Sequence, residues 1–206
     1  RGTGVASDGA GASLMNPRPE GQVLAVQQAW AQSGLDPATV GLIEAHGTAT
    51  PVGDRTELAT LRTVFGADDG SRPRAGLGSV KSMIGHAMPA AGAAGLAKTA
   101  LAIYHGELPP TLHVDEPNEA VADTRFRLLS ETEPWETAPG EARVAGVNAF
   151  GFGGINAHVV LTEHPSTRAP RPRVTGGSTA PTGDPKVAAV AGEEVLLLAG
   201  VDAADL

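Results

Sequence analysis

Apolar residues recur along this chain with two different periods, and the switches between them mark its elements. In PRPEGQVLAVQQAWAQSG, Pro17 to Gly34, residues Val23, Val26 and Trp30 share a helical face, Pro19 suits a first turn and Gly34 supplies a stop. A second helix carries Leu58, Leu61 and Phe65 as its buried stripe and ends at Gly66. Asp54 followed by Glu57 reads as a capping box opening that helix, and we take the two acids as caps rather than as an acid/base pair. A long helix of small residues is expected from about Pro89 to Tyr104. Short β-branched and aliphatic runs predict strands at 1–8, 39–45, 75–82 and 125–130, then a pair at 143–150 and 156–163 joined by the tight turn GFGG. Residues 9–16 read as a Gly/Ala-rich loop, and LPPTLHVDEPN as an extended stretch. Helices alternate with strands and strand pairs follow, which predicts an α/β layered sandwich with a mixed sheet packed by helices.

Three polar, glycine-bearing clusters close three of these strands: HGTAT at 46–50, GSVKSMIGH at 78–86 and NAFGFGGIN at 148–156. In open α/β sheets ligands gather where strand ends and loops converge. Two histidines, His46 and His86, and one lysine, Lys81, fall in the first two clusters. Imidazole donates or accepts a proton near neutral pH, an ammonium supplies a fixed charge, and glycine lets backbone amides approach a ligand. A histidine at a strand end is also an ordinary structural group, and the residues alone leave both readings open. His105 suits the C-terminal end of its helix, and His113, His158 and His164 read as structural or solvent-facing.

Composition narrows the chemistry. Of 206 residues 41% are hydrophobic, enough for one domain with a sizeable core, yet only 3% are aromatic, so that core must rest on Ala, Val and Leu. A net charge of −8 argues against nucleic acid as a partner. The absence of cysteine removes disulfides, thiolate metal sites and a cysteine nucleophile from these residues. A metal site is not expected either, since His46 and His86 lie forty residues apart with no paired ligands on one helix. GFGG lacks dinucleotide-binding spacing, and neither Ser79 nor Ser82 sits at a triad spacing. The longest apolar run, AMPAAGAAGLAKTALAIY, contains Lys98 and reads as a packed helix, so no membrane span is expected and a cytoplasmic protein is.

Taken together, EAHGTATPVGD, GSVKSMIGH and GVNAFGFGGINAHVVL, with ELPPTLHVDEPN between the second and third, resemble the C-terminal half of a β-ketoacyl synthase (ketosynthase) domain of a type I polyketide synthase. The likeness covers about 1–163. It implies the thiolase-like fold and a decarboxylative Claisen condensation of a malonyl thioester, borne by acyl carrier protein, with an acyl group held on a cysteine. By this resemblance His46 and His86 donate hydrogen bonds to the enolate oxygen, and Lys81 holds charge beside His86. Thr48 and Thr50 bond the phosphopantetheine arm, the only cofactor implied and one carried by the partner. Phe152 matches the gating phenylalanine whose N–H completes the oxyanion hole at the cysteine.

The departures are Ala49 for the usual second glycine of HGTGT, Met83 for the common Asn, and Ile155 for the common Thr. With MPAAG after His86, these variants resemble iterative polyunsaturated-fatty-acid-like or enediyne-type synthases more than modular ones. The nucleophilic cysteine and half of the duplicated core are expected in an N-terminal half outside this chain, with a homodimer in the intact enzyme. Residues 164–184, rich in Pro, Thr and Gly, read as a linker, and 185–206 as the start of a following unit next to an acyltransferase. Two competing readings are a non-catalytic partner of the chain-length-factor or decarboxylase kind and an autonomous binding module. Retention of both histidines and the lysine favours the catalytic reading over the first, and a missing half-core disfavours the second.

Overall fold

A computed structural model of the chain describes residues 1–9, 17–151 and 153–165. The expected loop 9–16 therefore falls outside the described residues except for Gly9, and so do Phe152 and all but the first two residues of the linker and following unit.

A six-stranded sheet runs in the order β1 (Gly2–Ser7), β8 (Ile155–Thr162), β7 (Val144–Phe150), β2 (Leu42–Glu44), β3 (Ala75–Gly78) and β5 (Phe126–Leu128). It is mixed, as the element order implied: β7, β2, β3 and β5 are parallel neighbours, whereas β8 is antiparallel to both β7 and β1. Helices α1 (Pro19–Ser33) and α2 (Pro51–Phe65) cover one face, and α4 (Ala91–His105) covers the other. Alternating side chains of β2 and β7 serve both faces. Ile43 and Val144 join Val26, Trp30, Leu58, Leu61 and Phe65 under α1 and α2, while Leu42 and Ala145 join Ala102, Ile103 and Trp135 on the α4 side. This is the layered α/β sandwich anticipated above, with the aromatic residues concentrated in the first of the two cores.

Three boundaries depart most from the sequence reading. The run 39–45 yields a strand only from Leu42, because Asp36 accepts a hydrogen bond from Ala38 N–H and turns Pro37–Thr39 into a 3-10 turn. Helix α2 begins at Pro51, with Thr50 Oγ1 accepting from Gly53 N–H at 3.2 Å as the N-cap. Thr-Pro is the stronger start, a capping hydroxyl followed by a residue pre-set for the first turn. Asp54 is thereby a first-turn acid rather than a cap, and Glu57 forms no capping box; it points into the core. The run 75–82 ends as a strand at Gly78, and Lys81–Ile84 coil into the single turn α3. A two-stranded sheet, β4 (Glu107–Leu108) with β6 (Glu133–Pro134), is too short to leave a period in the sequence.

Candidate functional site

Register explains why three clusters remote in sequence become one site. Glu44, the last residue of β2, pairs with Gly78, the last of β3, on one side and with Val147 of β7 on the other, so β2 and β3 end level with one another while β7 runs on to Phe150. Beyond that level come Ala45–Thr50, Ser79–His86 and the last β7 residues Asn148–Phe150, all but Ala45 within the three clusters singled out from the sequence.

Two imidazoles meet there. The His46 and His86 rings lie 5.6 Å apart, edge to face at 85°, and Phe150 backs His46 with its ring centroid 5.9 Å away. His46 is half-buried and His86 exposed. His86 Nδ1 accepts the Met88 backbone N–H at 2.9 Å, so in the neutral ring the proton resides on Nε2, available to donate outward. Burial first, then the neighbouring Lys81 and His86, push the His46 pKa down to about 4. The charged form is the one disfavoured, so His46 is a neutral donor at pH 7. Lys81, the first residue of α3, is drawn below the ordinary lysine range by burial, with Glu57 and Glu44 opposing that shift.

Two buried carboxylates hold the loops. Glu44 Oε1 accepts Val80 N–H at 2.5 Å, and its Oε2 meets Lys98 Nζ of α4 at 2.8 Å. Glu57 Oε1 accepts both His46 N–H at 2.8 Å and Asn148 Nδ2–H at 2.8 Å, while Oε2 accepts Gly47 N–H at 2.9 Å. Burial raises the carboxyl pKa of both residues, and the donors just named oppose the rise. Glu44, Glu57 and Asn148 were not singled out as site residues. Glu57 followed a local capping pattern, and only the tertiary fold brings its carboxylate to His46, Gly47 and Asn148.

Of the remaining expected residues, Thr48 and Thr50 lie in the loop after His46 with their hydroxyl oxygens 3.2 Å apart. The Thr50 oxygen that caps α2 still has its own proton to donate. Phe152 falls outside the described residues. Among the described residues no three His, Asp or Glu side chains gather as a metal set, and no helix is long and apolar enough to cross a membrane.

An ordinary histidine is mostly charged at pH 5, but His46, at about 4, and buried His158, at about 3, should stay mostly neutral there; 15N NMR of the imidazoles reports this, and a half-titration near 6.5 would refute it. Ala49 holds φ +58°, a left-handed conformation that costs a non-glycine residue about 1–2 kcal/mol. Ala49→Gly should accordingly raise the denaturation midpoint, offset in part by the entropy of a freer unfolded chain.

The geometry sets two imidazoles and a lysine together at the ends of parallel strands in a thiolase-like sandwich. The chain belongs to the β-ketoacyl synthase family: residues 1–115 match the family model "Beta-ketoacyl synthase, C-terminal domain", and 117–195 match "Ketoacyl-synthetase C-terminal extension". Curated relatives include a polyunsaturated fatty acid synthase component of Thraustochytrium, 41% identical over 79% of this chain and 6% of its own length. Polyketide synthase ThaG of Burkholderia thailandensis is 45% identical over 85% of this chain and 3% of its own length. The chain thus spans less than a tenth of these relatives. Among solved structures, the ketosynthase from module 6 of the bacillaene synthase of Bacillus subtilis is similar with a TM-score of 0.74 and 38% identity, over 80% of this chain and 30% of that one. A ketosynthase domain of the oxazolomycin system of Streptomyces albus matches with a TM-score of 0.73 and 42% identity, over 79% and 29%.

Proposed function

We propose that this chain supplies the decarboxylating half of a ketosynthase active site, acting on a malonyl thioester carried by the phosphopantetheine arm of an acyl carrier protein. The observation that carries the reading is the His46–His86 pair: edge-to-face rings 5.6 Å apart, one held neutral and the other with its Nδ1 already occupied by Met88 N–H. Two imidazole N–H donors side by side suit a thioester oxygen on which negative charge develops.

In the reaction the bond between the malonyl α-carbon and its carboxylate breaks and CO2 leaves. The electron pair stays on the α-carbon and delocalises onto the thioester oxygen, where the two imidazoles receive it. The α-carbon then attacks an acyl thioester on a cysteine, forming the new carbon–carbon bond and expelling the thiolate. That cysteine lies outside these residues, in our reading on an N-terminal half that completes the fold, within a homodimeric enzyme. Lys81 places positive charge beside the histidines and faces the departing carboxylate. Thr48 and Thr50 bond the pantetheine arm, and Phe152 contributes its N–H to the oxyanion hole at the cysteine. Residues 164–184 then serve as the linker toward the next unit. The polyketide and fatty-acid synthases among the relatives support this reaction class.

The test is direct. The full-length protein is incubated with a malonyl-pantetheine thioester, with and without an acyl donor, while CO2 and β-ketoacyl product are followed. Release of CO2 in both cases and product only with the donor supports the proposal. No CO2 from either mixture overturns it.

A further inference from the structure

We propose that Trp30 and His158 are positioning residues for His46, acting through a one-way chain of buried hydrogen bonds that ends on the backbone amides of His46 and Gly47. The inference rests on the role proposed above for His46.

The direction of every link follows from the one before it. The Trp30 indole has a proton to give and no acceptor, so at 3.1 Å it donates to His158 Nε2. A neutral imidazole that accepts at Nε2 carries its proton on Nδ1, and that proton goes to Asn148 Oδ1 at 2.6 Å. With its oxygen engaged, Asn148 turns its NH2 toward Glu57 Oε1, 2.8 Å away. The carboxylate receives it alongside His46 N–H on the same oxygen and Gly47 N–H on the other. Reversing any one member sets two acceptors or two donors face to face. Only one arrangement of protons satisfies the whole chain.

The fold is shaped around this chain. Asn148 and His158 are directly opposite in the β7–β8 register. Two residues before Asn148 on β7 the sequence leaves Gly146 bare: a Cβ there would come within 2.6 Å of His158 Cε1. His158 is 0% exposed, Trp30 and Asn148 2% and Glu57 5%, so no water competes for the links. Burial alone holds the His158 pKa to about 3, which keeps the ring neutral and the chain intact. Four polar groups in a core cost desolvation energy that apolar residues of the same volume would not. Their convergence on the loop bearing His46 gives that arrangement a use, since a ring displaced by about 1 Å can lose about 100-fold in rate.

The experiment uses the full-length protein. Trp30→Phe keeps most of the ring volume but removes the first donor. It should leave His158 Nε2 without its donor while the proton stays on Nδ1, read as a changed Nε2 shift by 15N NMR, and shift the amide protons of His46 and Gly47. The kcat for malonyl decarboxylation should fall by up to about 100-fold while KM holds. Unmoved amides, or an unchanged kcat, overturn the proposal. Should Trp30→Phe not fold, a second pair decides. His158→Gln offers an acceptor to Trp30 and a donor to Asn148 and should retain activity, whereas His158→Leu should lose it; equal behaviour of the two overturns the inference. Moved amides together with wild-type decarboxylation in His46→Ala would instead overturn the catalytic reading and leave the hydrogen-bond chain standing.

Discussion

Replacing His46 or His86 with alanine is expected to slow malonyl decarboxylation by about 100- to 1,000-fold, with KM nearly unchanged, because each contributes a donor used mainly in the transition state. The two imidazoles lie 5.6 Å apart, and His46, its pKa at about 4, is held as a neutral ring that donates its own N–H. In the proposed reaction both serve a single oxygen, so the double variant should lose less than the product of the single losses. His105→Ala, in the exposed last turn of α4, is the control and should retain the parent rate. Full activity in either site variant would remove the enolate role from that histidine and leave it a structural residue of the strand end.

The second large effect concerns stability. Glu44→Leu is expected to cost about 3–5 kcal/mol, read as a shift of the denaturant midpoint in the full-length protein. Glu44 is 2% exposed and holds two groups at once, the Val80 N–H at 2.5 Å and the Lys98 ammonium at 2.8 Å. Removing it strands an ammonium that is only 11% exposed and leaves a backbone donor unpaired beside it. Coupling Glu44→Leu with Lys98→Met should recover much of the loss, since two apolar residues can replace a buried pair far more cheaply than one partner can stand alone. Because Val80 directly precedes Lys81, decarboxylation should fall along with stability in the single variant. A midpoint within experimental error of the parent would show that the pair contributes nothing.

What could be read from the sequence divides along physical lines. The stripes of α1 and α2 and the apolar runs of β2, β3 and β7 were legible because each element carries its own period. His46, Lys81 and His86 were legible because each sits in a contiguous cluster after such a run, and the parallel register of β7, β2 and β3 brings those clusters together. Glu57 was misread because it sits three residues after Asp54, a spacing that local rules assign to a cap, whereas tertiary packing carries it to His46 N–H. Trp30, Asn148 and His158 come from three elements, and no window of sequence contains their contact. His158 in particular carries no local sign that it faces a tryptophan in the core. The resemblance to ketosynthases implies roles for the histidines but says nothing of what holds them.

The Ala/Gly run of α4 bears on how freely this chain can be varied. A designer scoring helices one residue at a time would change Gly95 to Ala and expect to gain about 1 kcal/mol of propensity. The added methyl would stand 3.0 Å from Glu44 Cγ, against the carboxylate that holds both Val80 and Lys98. Gly92, one turn earlier, meets Ala149 of β7 at 3.3 Å in the same way. The stretch that looks least informative, almost a low-complexity tract, is therefore among the least interchangeable, and its blandness is the imprint of a charged side chain lying directly beneath it.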